Sequence, residues 1–110
     1  MKNNFKRVIS LARLLEAKHA DGLLILKLSG LTSYTDYLII CSGSSSRQIE
    51  SLVDEVKNVF EERPTYISGS AESGWWILDF IDIVVHVFLP ELQYRYVLES
   101  IWGDAPKIVF

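Results

Sequence analysis

The chain has 110 residues, 49% of them hydrophobic, with 11 basic side chains against 14 acidic ones and a formal net charge of −3. That length suits one domain spanning 1–110, burying roughly 65% of the surface its unfolded form exposes. The acidic balance argues against a broad phosphate-binding face, because nonspecific nucleic-acid affinity comes mainly from clustered lysine and arginine, and no apolar run approaches the roughly 20 residues of a membrane span.

A single cysteine, Cys41, excludes an internal disulfide and a cysteine-rich metal site, so the natural compartment is a reducing one, the cytoplasm. The opening residues 1–7 lack the apolar core of a secretion signal, and a soluble, unprocessed protein is expected. A basic protein is a better-matched partner than bare RNA; direct DNA binding is not expected, and RNA contact is at most peripheral.

Along the chain, Phe5, Val8, Ile9, Ala12 and Leu15 follow helical spacing, predicting an amphipathic helix over residues 4–18 that Asp21 and Gly22 end. Residues 23–28 form a short apolar run suited to a strand, and after a polar connection residues 36–42 read as a second strand, both substantially buried. Ser45 and Gln48 make a capping box for the next helix, whose inward face is Ile49, Leu52, Val53, Val56 and Phe60 and which Pro64 stops. Residues 65–67 predict a short third strand, followed by a flexible loop over 68–74.

Residues 75–88 predict a hairpin turning at Ile81 and Asp82, so that Phe80 faces Ile83, Leu78 faces Val85 and Trp76 faces Val87 on a wholly apolar side. Its other side pairs Asp79 with Val84, Ile77 with His86 and Trp75 with Phe88, mixing aromatic, aliphatic and polar groups. Pro90 and Glu91 suit the first turn of a last helix, with Tyr94, Val97, Leu98, Ile101 and Trp102 facing inward, Gly103 as its cap and residues 104–110 as a tail. The order is α-β-β-α-β-β-β-α, an α+β domain with a mixed five-stranded sheet and three helices. Three helices do not comfortably cover both faces of such a sheet, so part of the mixed side is expected to stay open. On the residues alone, that side is either a partner surface or core beneath a helix.

Catalytic readings are poorly supported. Asp79, Asp82 and His86 are a weak metal-ligand set, and turn stabilisation by Asp82 with a hydrogen-bonded, partly buried His86 accounts for them better. A Cys41–His86–Asp79 nucleophilic arrangement lacks anything that activates the thiol, and Cys41 reads as a small core residue. The loop Gly43-Ser44-Ser45-Ser46 leads into a helix N-terminus, but the closely spaced strand carboxylates that hold metal ions in nucleotidyl transfer are absent, so helix capping is the better account. No enzyme activity, cofactor or bound metal is expected; the alternative is a nucleotidyltransferase-fold enzyme or nucleotide-binding protein.

Three segments, residues 35–48 (TDYLIICSGSSSRQ), 75–88 (WWILDFIDIVVHVF) and 96–104 (YVLESIWGD), resemble the ribosomal silencing factor family, also called the Iojap-related family. The resemblance implies a nucleotidyltransferase-like fold and a noncatalytic factor that binds the large ribosomal subunit through its protein L-fourteen. It also implies steric obstruction of small-subunit joining, repressing translation when nutrients are scarce. It favours the partner reading of the mixed hairpin side: Trp75 as anchor, Ile77, His86 and Phe88 beside it, Asp79 or Asp82 pairing with basic residues, and Tyr96 extending the surface. A homodimer formed through the Trp75 face when the factor is free is a further expectation. One position departs from the family pattern, Ile81 where glycine is usual, and a β-branched residue resists the positive φ that glycine would allow. The docking reading requires the Trp75 side to remain accessible.

Overall fold

The computed structural model describes residues 4–31, 33–70, 72–90, 100–102 and 104–109. Its elements are α1 (Asn4–Ala17), β1 (Asp21–Lys27), β2 (Tyr37–Ser42), α2 (Ser46–Val59), β3 (Tyr66–Ser70), β4 (Trp75–Asp79) and β5 (Ile83–Phe88). The fold is α+β in the expected order α-β-β-α-β-β-β-α. Ser100, Ile101 and Trp102 are helical, while most of the predicted last helix lies outside the described residues.

One sheet carries the strands in the order β1-β2-β5-β4-β3. The central pair β2–β5 is parallel and its neighbours are antiparallel. Every residue of β2 and β5 is buried, as befits central strands covered on both faces. β1 is an edge strand and is more exposed than its apolar sequence suggests. Its outer side takes the segment read as a tail: Lys27 N–H donates to Pro106 O at 2.8 Å and Ile108 N–H to Ile25 O at 2.9 Å. These bonds satisfy edge groups that would otherwise be open to pairing.

Both α1 and α2 lie on the sheet face formed by Ile39, Cys41, Leu78, Phe80, Val85 and Val87. In α2 the buried stripe is Ile49, Leu52, Val53 and Val56, and Phe60 packs edge-on to Phe80 with ring centroids 5.5 Å apart. Ser45 Oγ accepts from Gln48 N–H at 3.1 Å, the expected cap. The reciprocal half differs, because Gln48 Oε1 accepts from Ser44 N–H and Ser44 Oγ, not from Ser45 N–H.

The stripe of α1 is rotated from the predicted one. Val8, Leu11, Ala12 and Leu15 are buried together with Arg7, and Phe5 is exposed. Arg7 turns inward because two carboxylates await it, as described below. The helix also ends before Asp21: His19 takes φ +65 and Ala20 N–H donates to Leu15 O at 3.1 Å, closing the last turn.

β3 runs further than predicted, with Ser68, Gly69 and Ser70 paired to Ile77, Trp76 and Trp75 where a flexible loop was expected. Gly69 permits this. Its φ is +123, and a Cβ built on it would stand 2.2 Å from the Trp75 carbonyl oxygen, so only glycine allows so close an approach.

Candidate functional site

The hairpin register is the predicted one, with Trp75 opposite Phe88, Ile77 opposite His86 and Asp79 opposite Val84. The turn keeps its even length: Phe80 N–H donates to Ile83 O at 2.8 Å, leaving Ile81 and Asp82 at the tip. Ile81 adopts φ +76, the value of the central residue of a γ-turn, a conformation that glycine meets without a Cβ penalty. Two bonds hold it there, Ile81 N–H to Asp79 Oδ1 at 2.7 Å and Asp82 N–H to Phe80 O at 3.0 Å. The side chain that resists this backbone is itself 67% exposed.

The mixed side is only partly bare. Leu26, Leu28, Leu38, Ile40, Val84 and Phe88 form a second core with Ala105, and Trp102, Trp75 and Ile77 pack at its border. Phe88 is 1% exposed and His86 4%, so these two predicted contact residues belong to the interior of the free protein. The β1-β2-β5 part of the sheet is therefore covered, which the count of helices did not anticipate: Ala105 and Trp102 supply cover from the C-terminal segment.

Accessibility survives on the β3–β4 part. Trp75, Ile77 and Asp79 are half-buried, and the residues directly opposite them on β3 are Ser70, Ser68 and Tyr66. Tyr66 is 63% exposed. Beside this strip Tyr34 stacks on Trp102 with centroids 6.3 Å apart and planes 4° apart. Partial burial, with the nearby Asp79 charge, raises the Tyr34 hydroxyl above its usual pKa. The accessible set is thus Tyr34, Tyr66, Trp75, Ile77, Asp79 and Trp102. Tyr34, Tyr66 and Trp102 were missed from sequence; only the pairing of Tyr66 with Asp79 was within reach, had β3 been read to its full length.

Trp75 is oriented by the interior. Its Nε1–H donates to His86 Nδ1 at 3.1 Å, and the two rings lie 5.7 Å apart at 29°. Burial pushes His86 down to about 4, so the imidazole is neutral at physiological pH. Since Nδ1 accepts, the proton resides on Nε2, which finds no hydrogen-bond partner among the described residues.

Asp82 is engaged within the molecule, its carboxylate paired with Arg7. Arg7 Nη1 donates to Asp82 Oδ2 at 2.6 Å and to Asn4 Oδ1 at 2.7 Å, while Nε and Nη2 grip Glu62 in a two-point fork at 2.5 and 2.6 Å. The bond to Glu62, followed by that to Asp82, raises the guanidinium pKa further above its usual range. Tyr96 lies outside the described residues.

The catalytic alternatives are separated by the sheet itself. Cys41 lies on the helix-covered face, whereas His86 and Asp79 lie on the opposite one, so no triad forms. Asp82 pairs with Arg7 and His86 with Trp75, and among the described residues no three His, Cys, Asp or Glu side chains converge as metal ligands. Ser44 and Ser45 spend their polar atoms on the α2 cap. Among the described residues no helix is long and apolar enough to cross a membrane.

The fold and site define an α+β domain with α1 and α2 on one sheet face and a half-exposed aromatic strip on the other. Residues 2–110 match the family model described as "Ribosomal silencing factor during starvation", and the chain belongs to that family. It is 36% identical over 92 residues to the Bacillus subtilis ribosomal silencing factor RsfS, covering 81% of this chain and 78% of that one. It is also 29% identical over 98 residues to the mouse protein named mitochondrial assembly of ribosomal large subunit protein 1, covering 84% of this chain and 43% of that one. A crystal structure from Bacillus halodurans superimposes with a TM-score of 0.81 at 28% identity, covering 96% of this chain and 99% of that one.

Proposed function

We propose that this protein is a noncatalytic translation regulator that docks on protein L-fourteen of the large ribosomal subunit and thereby obstructs joining of the small subunit. The observation that carries the reading is the aromatic strip of β3 and β4, left half-exposed on a sheet otherwise covered on both faces. Family membership supports a ribosomal target, and the printed name of the mouse relative concerns the large subunit. A net charge of −3 suits a basic ribosomal protein as partner.

Trp75 is the anchor in this reading, with Ile77 and Tyr66 widening the apolar contact and Asp79 supplying charge at its edge. Because Trp75 is already half-buried, covering the remaining half of an aromatic side chain of roughly 150–250 Å² at about 25 cal/mol/Å² contributes about 2–3 kcal/mol, the size of an interface hot spot. His86 and Phe88 act from behind, as the support on which Trp75 rests. Self-association through the same strip when the protein is free is part of the proposal, and sedimentation at several concentrations with Trp75→Ala as control tests it.

The docking test uses purified ribosomal subunits on a sucrose gradient. The protein is expected to travel with large subunits and to lower the fraction of joined ribosomes in proportion to its occupancy, and Trp75→Ala to lose both effects. An undiminished joined fraction at saturating protein would reject the reading.

A further inference from the structure

We infer that His86, although buried, is the positioning residue of the docking surface: through Nδ1 it fixes the indole of Trp75 in the orientation that meets the partner. The inference rests on the docking reading above and adds to it a residue that does not itself touch the partner.

The argument begins with what a histidine does at this point of the sheet. His86 stands on the central strand β5, paired with Ile40 of β2 on one side and Ile77 of β4 on the other. An aliphatic residue would pack there without a polar atom to satisfy. The imidazole instead leaves Nε2 without a partner among the described residues, at 4% exposure. An unmet buried donor is destabilising, so stability alone gives no reason for the residue. What the ring does provide is an acceptor 3.1 Å from Trp75 Nε1, with the two ring planes only 29° apart.

That acceptor matters because Trp75 is half-buried at the border of the covered region. A bond to the central strand adds to the ordering of the ring before the partner arrives, so that part of the ordering is not charged against association. The bond also hides the indole N–H against the protein, leaving the apolar part of the ring to the strip shared with Ile77.

The test combines nuclear magnetic resonance with affinity for purified large subunits. In the wild-type protein, imidazole nitrogen shifts are expected to report a neutral ring with the proton on Nε2; a proton on Nδ1 would overturn the inference without any variant being made. In His86→Leu, the Trp75 indole N–H signal is expected to move and to exchange faster with solvent. Affinity for large subunits should fall about fivefold, the value of one neutral hydrogen bond. His86→Asn puts an amide oxygen one bond from Cγ, where Nδ1 stands, and is expected to restore both readouts, which a merely space-filling role would not do. An unmoved indole signal in a folded His86→Leu, or unchanged affinity while Trp75→Ala abolishes binding, overturns the inference and leaves docking intact. Full binding by Trp75→Ala instead overturns the docking reading, and the inference with it.

Discussion

Arg7 and Asp82 are 75 positions apart and meet at 2.6 Å, tying the first turns of α1 to the tip of the β4–β5 hairpin. The same guanidinium forks onto Glu62 beyond the end of α2, and Asn4 beside it donates to Asp36 Oδ2 at 3.0 Å. One cation therefore holds both helices and the hairpin together. Truncating it removes the cation that Asp82 and Glu62 share. Arg7→Ala is expected to lower unfolding stability in urea by about 2–3 kcal/mol, somewhat below the ~3–5 kcal/mol of a fully buried broken pair, because Asp82 and Glu62 keep some exposure. Arg7→Lys should recover only part of it, since an ammonium cannot reproduce the fork.

At the hairpin tip, Ile81 occupies a backbone conformation that L-residues reach at a cost of about 1–2 kcal/mol. Its side chain is largely exposed and offers little packing in return. Ile81→Gly is thus expected to raise stability by about 1 kcal/mol, after allowing for the greater freedom glycine has when unfolded, and to shift the thermal midpoint upward. Ile81→Val, equally branched, should give no gain.

The hairpin register was legible because a two-residue turn at Ile81 and Asp82 leaves only one pairing, which collects Trp76, Leu78 and Phe80 with Val87, Val85 and Ile83 on one face. Helix α2 was legible from its apolar residues, which recur on a single stripe. Arg7 was not, because a charged residue inside an apolar periodicity is assigned outward unless its distant partners are known. Nor was the cover over Phe88, which comes from Ala105 and its neighbours in a segment with no periodicity of its own. The accessible strip was accordingly half legible: Trp75 and Asp79 share a face by strand periodicity, whereas Tyr34 and Trp102 are brought beside them only by tertiary folding.

His86 makes stability depend on pH with a definite sign. Its pKa falls from 6.5 to about 4 on folding because burial disfavours the charged ring, so the unfolded chain binds the proton more readily. The contribution is complete above about pH 6.5 and is lost as pH falls from there towards about 4, amounting to roughly 3 kcal/mol at about 1.36 kcal/mol per pH unit. Urea midpoints measured across that window should decline for the wild type more steeply than for His86→Asn. Taking the difference between the two profiles removes the groups they share; equal slopes would show that His86 does not titrate between the two states.

Gly69 offers the sharpest check on how the accessible strip is built. Tyr66 and Ser68 reach their places opposite Asp79 and Ile77 only because β3 lies flush against β4, and at Gly69 that contact leaves no room for a methyl group beside the Trp75 carbonyl. The obstructing atoms are backbone, so relief requires the strands to part. Gly69→Ala is expected to cost about 2–3 kcal/mol, combining a strained positive φ with overpacking. Because β3 is an edge strand, the damage should be local. Amide exchange would accelerate for Tyr66, Ser68 and Ser70 while β2 and β5 stay protected. Uniform acceleration across all five strands would instead mean that the edge and the centre of this sheet unfold as one unit.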